Sequence, residues 1–160
     1  MKSLCIIATL LLASAAAAAE HDHANCPMHA AHHKADVDRR GDDVMGFSHE
    51  KTKHTFTSYD DGGAIEVRAL DANDADSIAM IRKHLDAVAK DFTAGNFAKP
   101  EAIHATSPDG AAVMAAKKAL IRYQYSDIEN GGRVRITTKD PAAIAAVHDF
   151  LKFQIAEHGE

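Results

Sequence analysis

The feature that most constrains the fold is a repeated pattern of two alternating segments followed by an amphipathic helix. Residues 54–70 and residues 121–138 each alternate apolar and polar side chains over two short runs, as half-buried strands do. Each region contains a glycine pair, Gly62-Gly63 or Gly131-Gly132, and glycine readily adopts the positive φ angles of tight hairpin turns. We therefore predict two β-hairpins.

Each predicted hairpin is followed by a predicted helix. Apolar residues recur with helical spacing at positions 78, 81, 85, 88 and 92, and again at 144, 147, 151 and 155. Asp74 or Asp76 can cap the first helix, and Asp140 followed by Pro141 suits the start of the second. Two ββα units of matching order indicate an internal duplication.

The duplication predicts an α+β fold, in which ββα units form a four-stranded antiparallel sheet with helices on one face and polar side chains on the other. A third, shorter helix is predicted over residues 110–120, after a loop that contains Pro100 and Pro108. The side chains expected to face the helices are Phe56, Ile65, Val67, Ile121, Tyr123, Tyr125, Val134 and Ile136.

The N-terminal residues predict export from the cytoplasm. Met1-Lys2 precedes an apolar run and then an alanine-rich stretch, which is the order of a secretory signal peptide. The apolar run is shorter than a bilayer-spanning helix requires. Small residues permit cleavage after Ala18 or after Ala19. We predict residues 1–19 as a signal peptide and the periplasm as the destination of the mature protein.

The mature chain is predicted to consist of a tail and one domain. Residues 20–44 are rich in His, Asp and Lys and have no persistent apolar period, so they are predicted to be a flexible metal-binding tail. Residues 45–160 are predicted to form the α+β domain, with Met45 and Phe47 docked at its start. No segment of the mature chain is predicted to span a membrane.

Charge and cysteine content narrow the choice of partners. The chain has a net charge of −5, and removal of Lys2 with the signal peptide makes it more acidic, which argues against nucleic acid as a partner. Of its 2 cysteines, only Cys26 lies beyond the signal peptide. An odd thiol in an oxidising compartment must be capped, paired with another chain or bound to metal.

Metal-binding side chains are concentrated just after the predicted cleavage site. Thiolate, thioether and imidazole occur within four residues, which favours Cu(I), and further imidazoles add affinity for Cu(II) and zinc. If a helical turn forms, the spacing of His29 with His32 or His33 aligns these residues. Cleavage after Ala18 would also leave His21 third, where it can complete a square-planar nitrogen set for Cu(II) or Ni(II). The predicted metal ligands are His21, His23, Cys26, Met28, His29, His32 and His33.

Two resemblances accompany these observations. Cys26-Pro27-Met28-His29 resembles the motif of small heavy-metal-binding modules attached to copper and silver export proteins, over four residues only, because Ala30-Ala31 follow where those modules continue with proline and an acidic residue. Residues 45–158 resemble an uncharacterised family of secreted proteobacterial proteins, which implies a folded domain and supplies no function. That similarity rests on Met45-Gly46-Phe47, Lys51-Thr52, His54, Phe56, Gly62-Gly63, Ile81-Arg82, His84-Leu85, His148, Phe150-Leu151 and Phe153-Gln154-Ile155.

The domain carries its own histidines, and the sequence leaves open whether they meet. Each could make a local hydrogen bond at the core margin, or several could form an internal metal or haem site. His54 shares strand parity with Phe56 and is expected to face inward. The histidines in question are His54, His84, His104, His148 and His158.

The function expected from these features is binding of metal, copper before zinc, for sequestration, tolerance or delivery. The partners would be the metal ion and a metal transporter or envelope protein. No phosphate-binding glycine loop or nucleophile elbow is present, and a flexible tail cannot hold a catalytic pair in place, so the chain is not expected to be an enzyme. The alternatives are an envelope protein-interaction module without a metal role, or a small haem or metal enzyme that uses the domain histidines.

Overall fold

The computed structural model describes residues 27–158, with side chains from residue 31. Its helices are α1 (Pro27–Met45), α2 (Ala75–Ala94), α3 (Ala98–His104), α4 (Ala111–Ala116) and α5 (Pro141–His158). Its strands are β1 (Thr52–Tyr59), β2 (Gly62–Ala69), β3 (Ile121–Ile128) and β4 (Gly131–Thr138). Short 3-10 helices lie at His49–Lys51 and Lys118–Leu120. Within this described part, every helix is too short or too polar to cross a membrane.

The four strands form one antiparallel sheet in the order β1-β2-β4-β3. Each hairpin closes through two turn residues, and the second strands of the two hairpins pair at the centre, with Ile65 opposite Val134. The predicted α+β fold with duplicated ββα units and a four-stranded antiparallel sheet is therefore confirmed. The apolar alternation set this register, because a slip of one residue would turn every inward side chain to solvent.

The helices cover one face of the sheet, as predicted. Helix α2 packs mainly over β3 and β4, whereas α5 packs mainly over β1 and β2. Each long helix therefore covers strands of the other ββα unit. Because neither hairpin is covered by its own helix alone, the two units share one core and are expected to fold together.

Both predicted helix starts are capped by aspartate. One Asp74 carboxylate oxygen accepts a hydrogen bond of 3.0 Å from the Ser77 backbone N–H, and an Asp140 oxygen accepts one of 2.9 Å from Ala143. These contacts satisfy amide groups that have no partner inside the helix. The backbone hydrogen bonds lower the pKa of both carboxyl groups, because they stabilise the charged form.

The prediction of a flexible tail over residues 20–44 is wrong for the part that the structure describes. Residues 27–45 form α1, and Val37 is only 1% exposed. The Arg40 Nε donates a hydrogen bond of 2.6 Å to the Ile103 carbonyl of α3. The apolar stripe of α1 is sparse and interrupted by charges, so periodicity alone did not reveal it. Met45 and Phe47 are buried, which confirms their predicted docking.

The region between α2 and β3 contains more helix than predicted. Residues 98–104, expected in a loop, form α3, with Pro100 in its first turn, where proline is tolerated because that N–H has no helical partner. The helix predicted over residues 110–120 is divided into α4 and the 3-10 helix that follows it. This arrangement places His104 at the end of α3 with 2% of its surface exposed.

The glycine pair of β4 gives a matched stability test. A Cβ built on Gly131 would lie 1.9 Å from the Val67 backbone oxygen, whereas one on Gly132 would meet only side chains, the nearest being Tyr125 at 3.0 Å. We expect Gly131→Ala to lower the free energy of unfolding by about 2 kcal/mol, because backbone atoms must move, and Gly132→Ala to cost about 1 kcal/mol. Urea unfolding of both variants measures this, and equal losses would contradict it.

Candidate functional site

The structure describes the side chains of two of the seven predicted metal ligands. His32 and His33 are exposed on α1. Met28 and His29 belong to the same helix, but their side chains are not among those described, and His21, His23 and Cys26 lie outside the described residues. Helix α1 does supply the turn that the spacing of His29, His32 and His33 requires. The predicted set therefore stays a prediction.

His33 joins α1 to the end of α5. Its Nε2 lies 2.8 Å from one carboxylate oxygen of Glu157. The same oxygen lies 3.5 Å from the Nδ1 of His104, which is longer than a good hydrogen bond. The stretch of predicted metal ligands from His21 to His33, called the ligand run below, thus ends in contact with Glu157, which lies near His104.

His104 and Gln154 form a buried polar pair. The His104 Nε2 donates a hydrogen bond of 3.0 Å to the Gln154 side-chain oxygen, so we assign the lone pair to Nδ1. Among the described residues, the His104 Nδ1 and the Gln154 Nε2 have no hydrogen-bond partner. Buried polar atoms without partners are rare and costly, so this pair marks a place where water or a ligand completes the structure.

His158 connects this pair to the sheet. Its ring centroid lies 5.4 Å from that of His104 and 5.3 Å from that of His54 on β1. The rings of His54 and His158 are parallel within 6°. Phe56 packs against both. Residues from α3, α5 and β1, far apart in the sequence, therefore bring three imidazoles together.

A cavity lies next to these rings, between the sheet and helices α1, α2, α3 and α5. Its nitrogen and sulfur atoms belong to His54, His84, His158, Lys99 and Met45, and Gln154 adds an amide. Most of the remaining wall is apolar and includes Phe56, Ile65, Val67, Leu85, Val88 and Phe150. The ring of Phe47 packs edge-on against His84, with centroids 5.6 Å apart.

The cavity has a volume of about 60 Å³. A single water needs roughly 10–15 Å³ on this measure, and a cavity of about 150 Å³ holds benzene. This space therefore fits a few waters, a metal ion or a very small molecule. A haem group, suggested by the presence of several histidines, is many times larger and would require the surrounding helices to separate.

The histidines around the cavity are kept neutral at pH 7. Burial lowers the pKa of His54 to about 4, and the nearby His84 and His49 add to this effect. Burial followed by the charge of Lys99 lowers the pKa of His84 to about 4, against the opposing effect of Asp91. Burial, then His54 and His104, lower the pKa of His158 to about 3. Neutral imidazole is the form that binds metals.

His148 does not belong to this cluster. Its Nε2 lies 2.9 Å from the Tyr59 carbonyl and 3.1 Å from the Gly62 carbonyl, so it donates to the turn of the first hairpin. Of the five domain histidines considered from the sequence, four lie near one another, whereas His148 makes hydrogen bonds only to the turn of the first hairpin. His148 therefore serves as a control for experiments on the other four.

In the part of the chain that the structure describes, no three His, Cys, Asp or Glu residues converge on a common point as ligands of one ion. The donors that line the cavity are imidazoles and one thioether, so a site there would use few ligands. Gln154 and Glu157 are neighbours of the histidines that the sequence did not predict, although their spacing from His158 on one helix offered a signal.

The chain was compared with known protein families, curated proteins and solved structures, and none of the three comparisons found a match.

Proposed function

We propose that the protein is exported and binds metal, most favourably copper, through the ligand run at the start of the mature chain. The seven ligands proposed are those from His21 to His33 predicted from the sequence. The α+β domain holds the end of this run, and the protein buffers, sequesters or delivers the ion to a transporter or other envelope protein. Zinc is the second candidate ion, because imidazoles bind both metals.

The observation that carries this proposal is the contact between His33 and Glu157. It attaches the end of the ligand run to the domain at a point where buried His104 has an unpaired nitrogen. Through Glu157 the last predicted ligand lies near His104, whose pKa burial lowers, and the His104 ring is 5.4 Å from that of His158. This placement supports a metal role for the run and the domain together.

Copper is favoured over zinc by the two sulfur atoms of the run. Cys26 and Met28 supply a thiolate and a thioether near His29, and thioether sulfur is a ligand that Cu(I) accepts readily and zinc seldom uses. The single thiol of the mature chain also needs a role in an oxidising compartment, and metal binding provides one.

We expect joint substitution of Cys26→Ser, Met28→Leu and His29→Gln to weaken Cu(I) binding by at least about 100-fold, since loss of supporting residues alone costs 10–100-fold at metal sites. Competition with a chromophoric Cu(I) chelator, under reducing conditions, measures the affinity of the mature chain. His148→Gln, which removes an imidazole elsewhere, is expected to leave the affinity unchanged.

Unchanged high-affinity Cu(I) binding in the triple variant would contradict the assignment of these ligands. Tighter binding of Zn(II) than of Cu(I) to the unmodified chain would replace copper by zinc. Native mass spectrometry of protein purified from the periplasm tests export at the same time, because it gives the mass of the processed chain and any bound metal.

A further inference from the structure

We propose that the cavity between the sheet and the helices binds a small uncharged organic molecule, whose acceptor oxygen takes a hydrogen bond from the Gln154 side-chain amide. Gln154 lines this cavity and is 5% exposed. Neither His32 nor His33, the two proposed metal ligands whose side chains are described, lines it. The domain would thus have a ligand of its own, whether or not the ligand run binds metal.

The Gln154 amide leaves a buried donor without a partner. Its oxygen accepts a hydrogen bond of 3.0 Å from the Nε2 of His104, and this bond holds the amide in place. Within the described part of the chain, the Gln154 Nε2 is buried and has no hydrogen-bond partner. A buried N–H group without an acceptor is costly, so a water or a ligand oxygen is needed there.

The charges around the cavity favour an uncharged molecule. No aspartate or glutamate is among the described lining residues, and the Lys99 that lines the cavity is paired with Asp91. Burial lowers the pKa of His54 and that of His158, so both imidazoles are neutral at pH 7. A charged ligand would lose its hydration here without an opposite free charge to replace it.

The volume and the wall define the rest of the ligand. A single water needs roughly 10–15 Å³ on the same measure, so the cavity of about 60 Å³ has room for several water-sized groups. Leu85, Val88 and Phe150, which are buried, form part of the wall. A molecule with a short apolar body and one oxygen, such as a small ketone or amide, matches this space.

Part of the cavity wall lies at the protein surface. Nine-tenths or more of Leu85, Val88 and Gln154 is buried, whereas other lining residues remain partly exposed. A ligand could therefore pass between the partly exposed side chains and reach Gln154 without separation of the helices. The partly exposed lining residues are His54, Phe56, His84, Lys99 and His158.

The test uses the isotope-labelled mature chain at pH 7, titrated by NMR with acetone, acetate and isobutene, which have the same branched shape. Acetone should shift the Gln154 side-chain amide and the methyl signals of Val67 and Leu85 to saturation. A molecule of this size cannot bind with a Kd below about 40 μM. Acetate should bind at least about 100-fold more weakly than acetone, because its charge would be buried.

Gln154→Met removes the amide and keeps an unbranched side chain of similar length. Isobutene has no oxygen, so the ratio of acetone affinity to isobutene affinity isolates the hydrogen bond from the apolar contacts. This ratio should fall about 10-fold in the variant. Gln124→Met, the same change at an exposed residue of β3, should leave the ratio as it is.

The outcomes decide between a ligand site and a space that only water fills. Absence of saturable shifts at Gln154, Val67 and Leu85 with acetone would leave water as the occupant and overturn the proposal. So would acetate binding as tightly as acetone, which would indicate an anion site at Lys99. An affinity ratio unaltered by Gln154→Met would rule out the amide as the recognising group.

A second variant guards against misfolding, since Gln154→Met also removes the acceptor for His104. Val88→Ile adds one methylene group to the cavity wall, which should weaken acetone and isobutene alike by at least about 5-fold by occupying the space. Val113→Ile, at a residue that is 41% exposed, is the matched control. Circular dichroism checks that each variant is folded, and full acetone affinity in folded Val88→Ile would contradict binding in this cavity.

Discussion

Acidification from pH 7 to pH 4 is expected to remove a large part of the free energy of unfolding of the metal-free protein. The pKa of His54 and that of His84 are each lowered from 6.5 to about 4, chiefly by burial. In the unfolded chain both would protonate near pH 6.5. Proton binding therefore favours the unfolded state at every pH below that value.

These two pKa values determine the direction in which the free energy of unfolding changes with pH and the pH range of the change. Above pH 6.5 the histidines are neutral in both states and do not affect stability. Between pH 6.5 and about 4 the unfolded chain binds more protons, so stability falls as pH falls, and the loss levels off below the folded-state pKa. After allowance for solvent screening, each histidine contributes roughly 2 kcal/mol, against a typical total of about 5–15 kcal/mol.

Urea unfolding at several pH values between 7.5 and 4, with a chelator present, measures this dependence. His84→Phe keeps a ring in the cavity wall but cannot be protonated, so it should reduce the decline by roughly a quarter, because His54, His104 and His158 also have lowered pKa values. His148→Phe, which alters a histidine outside the cavity, should leave the slope unchanged. A stability profile that is level from pH 6.5 to 4 would show that these imidazoles are not held neutral.

Local sequence signals predicted the sheet and its two long helices well. The alternation around Phe56 and Ile65 set the register, and Asp74 and Asp140 marked the helix starts. The glycine pairs, expected in the turns, instead begin β2 and β4. The parity of His54 with Phe56 also placed that histidine correctly on the inner face. These features depend on neighbours within a few residues, so a single sequence contains the information they need.

The assembly of the histidine cluster could not be predicted in the same way. His104 lies in the cluster because residues 98–104 form α3, a helix that the presence of Pro100 argued against. His158 packs on His54 because α5 lies over the strands of the first hairpin. The buried face of α5 is also shifted by one position, so that Gln154 rather than Ile155 faces the core. Such contacts arise from the packing of whole elements, and the spacing of residues along the chain does not encode them locally.

Val37→Asp is expected to destabilise the protein by about 4 kcal/mol or more, because it would bury an unpaired charge at a position that is 1% exposed. Ala35→Asp, on the exposed face of the same helix, is the matched control and should cost no more than about 1 kcal/mol, the difference in helix propensity. Thermal and urea unfolding of the two variants measure the contrast.

The comparison decides whether α1 belongs to the folded domain. If residues 31–44 were a flexible tail, both substitutions would lie in solvent and both would leave stability unchanged. If the helix packs on α3 as Arg40 and Val37 indicate, only the inward substitution unfolds the protein. The result also governs the metal experiments: deletion of the tail through residue 40 would remove Val37 and damage the domain. Loss of metal binding after such a deletion could not be assigned to the N-terminal ligands, whereas substitutions at positions 26, 28 and 29 leave Val37 and its packing in place.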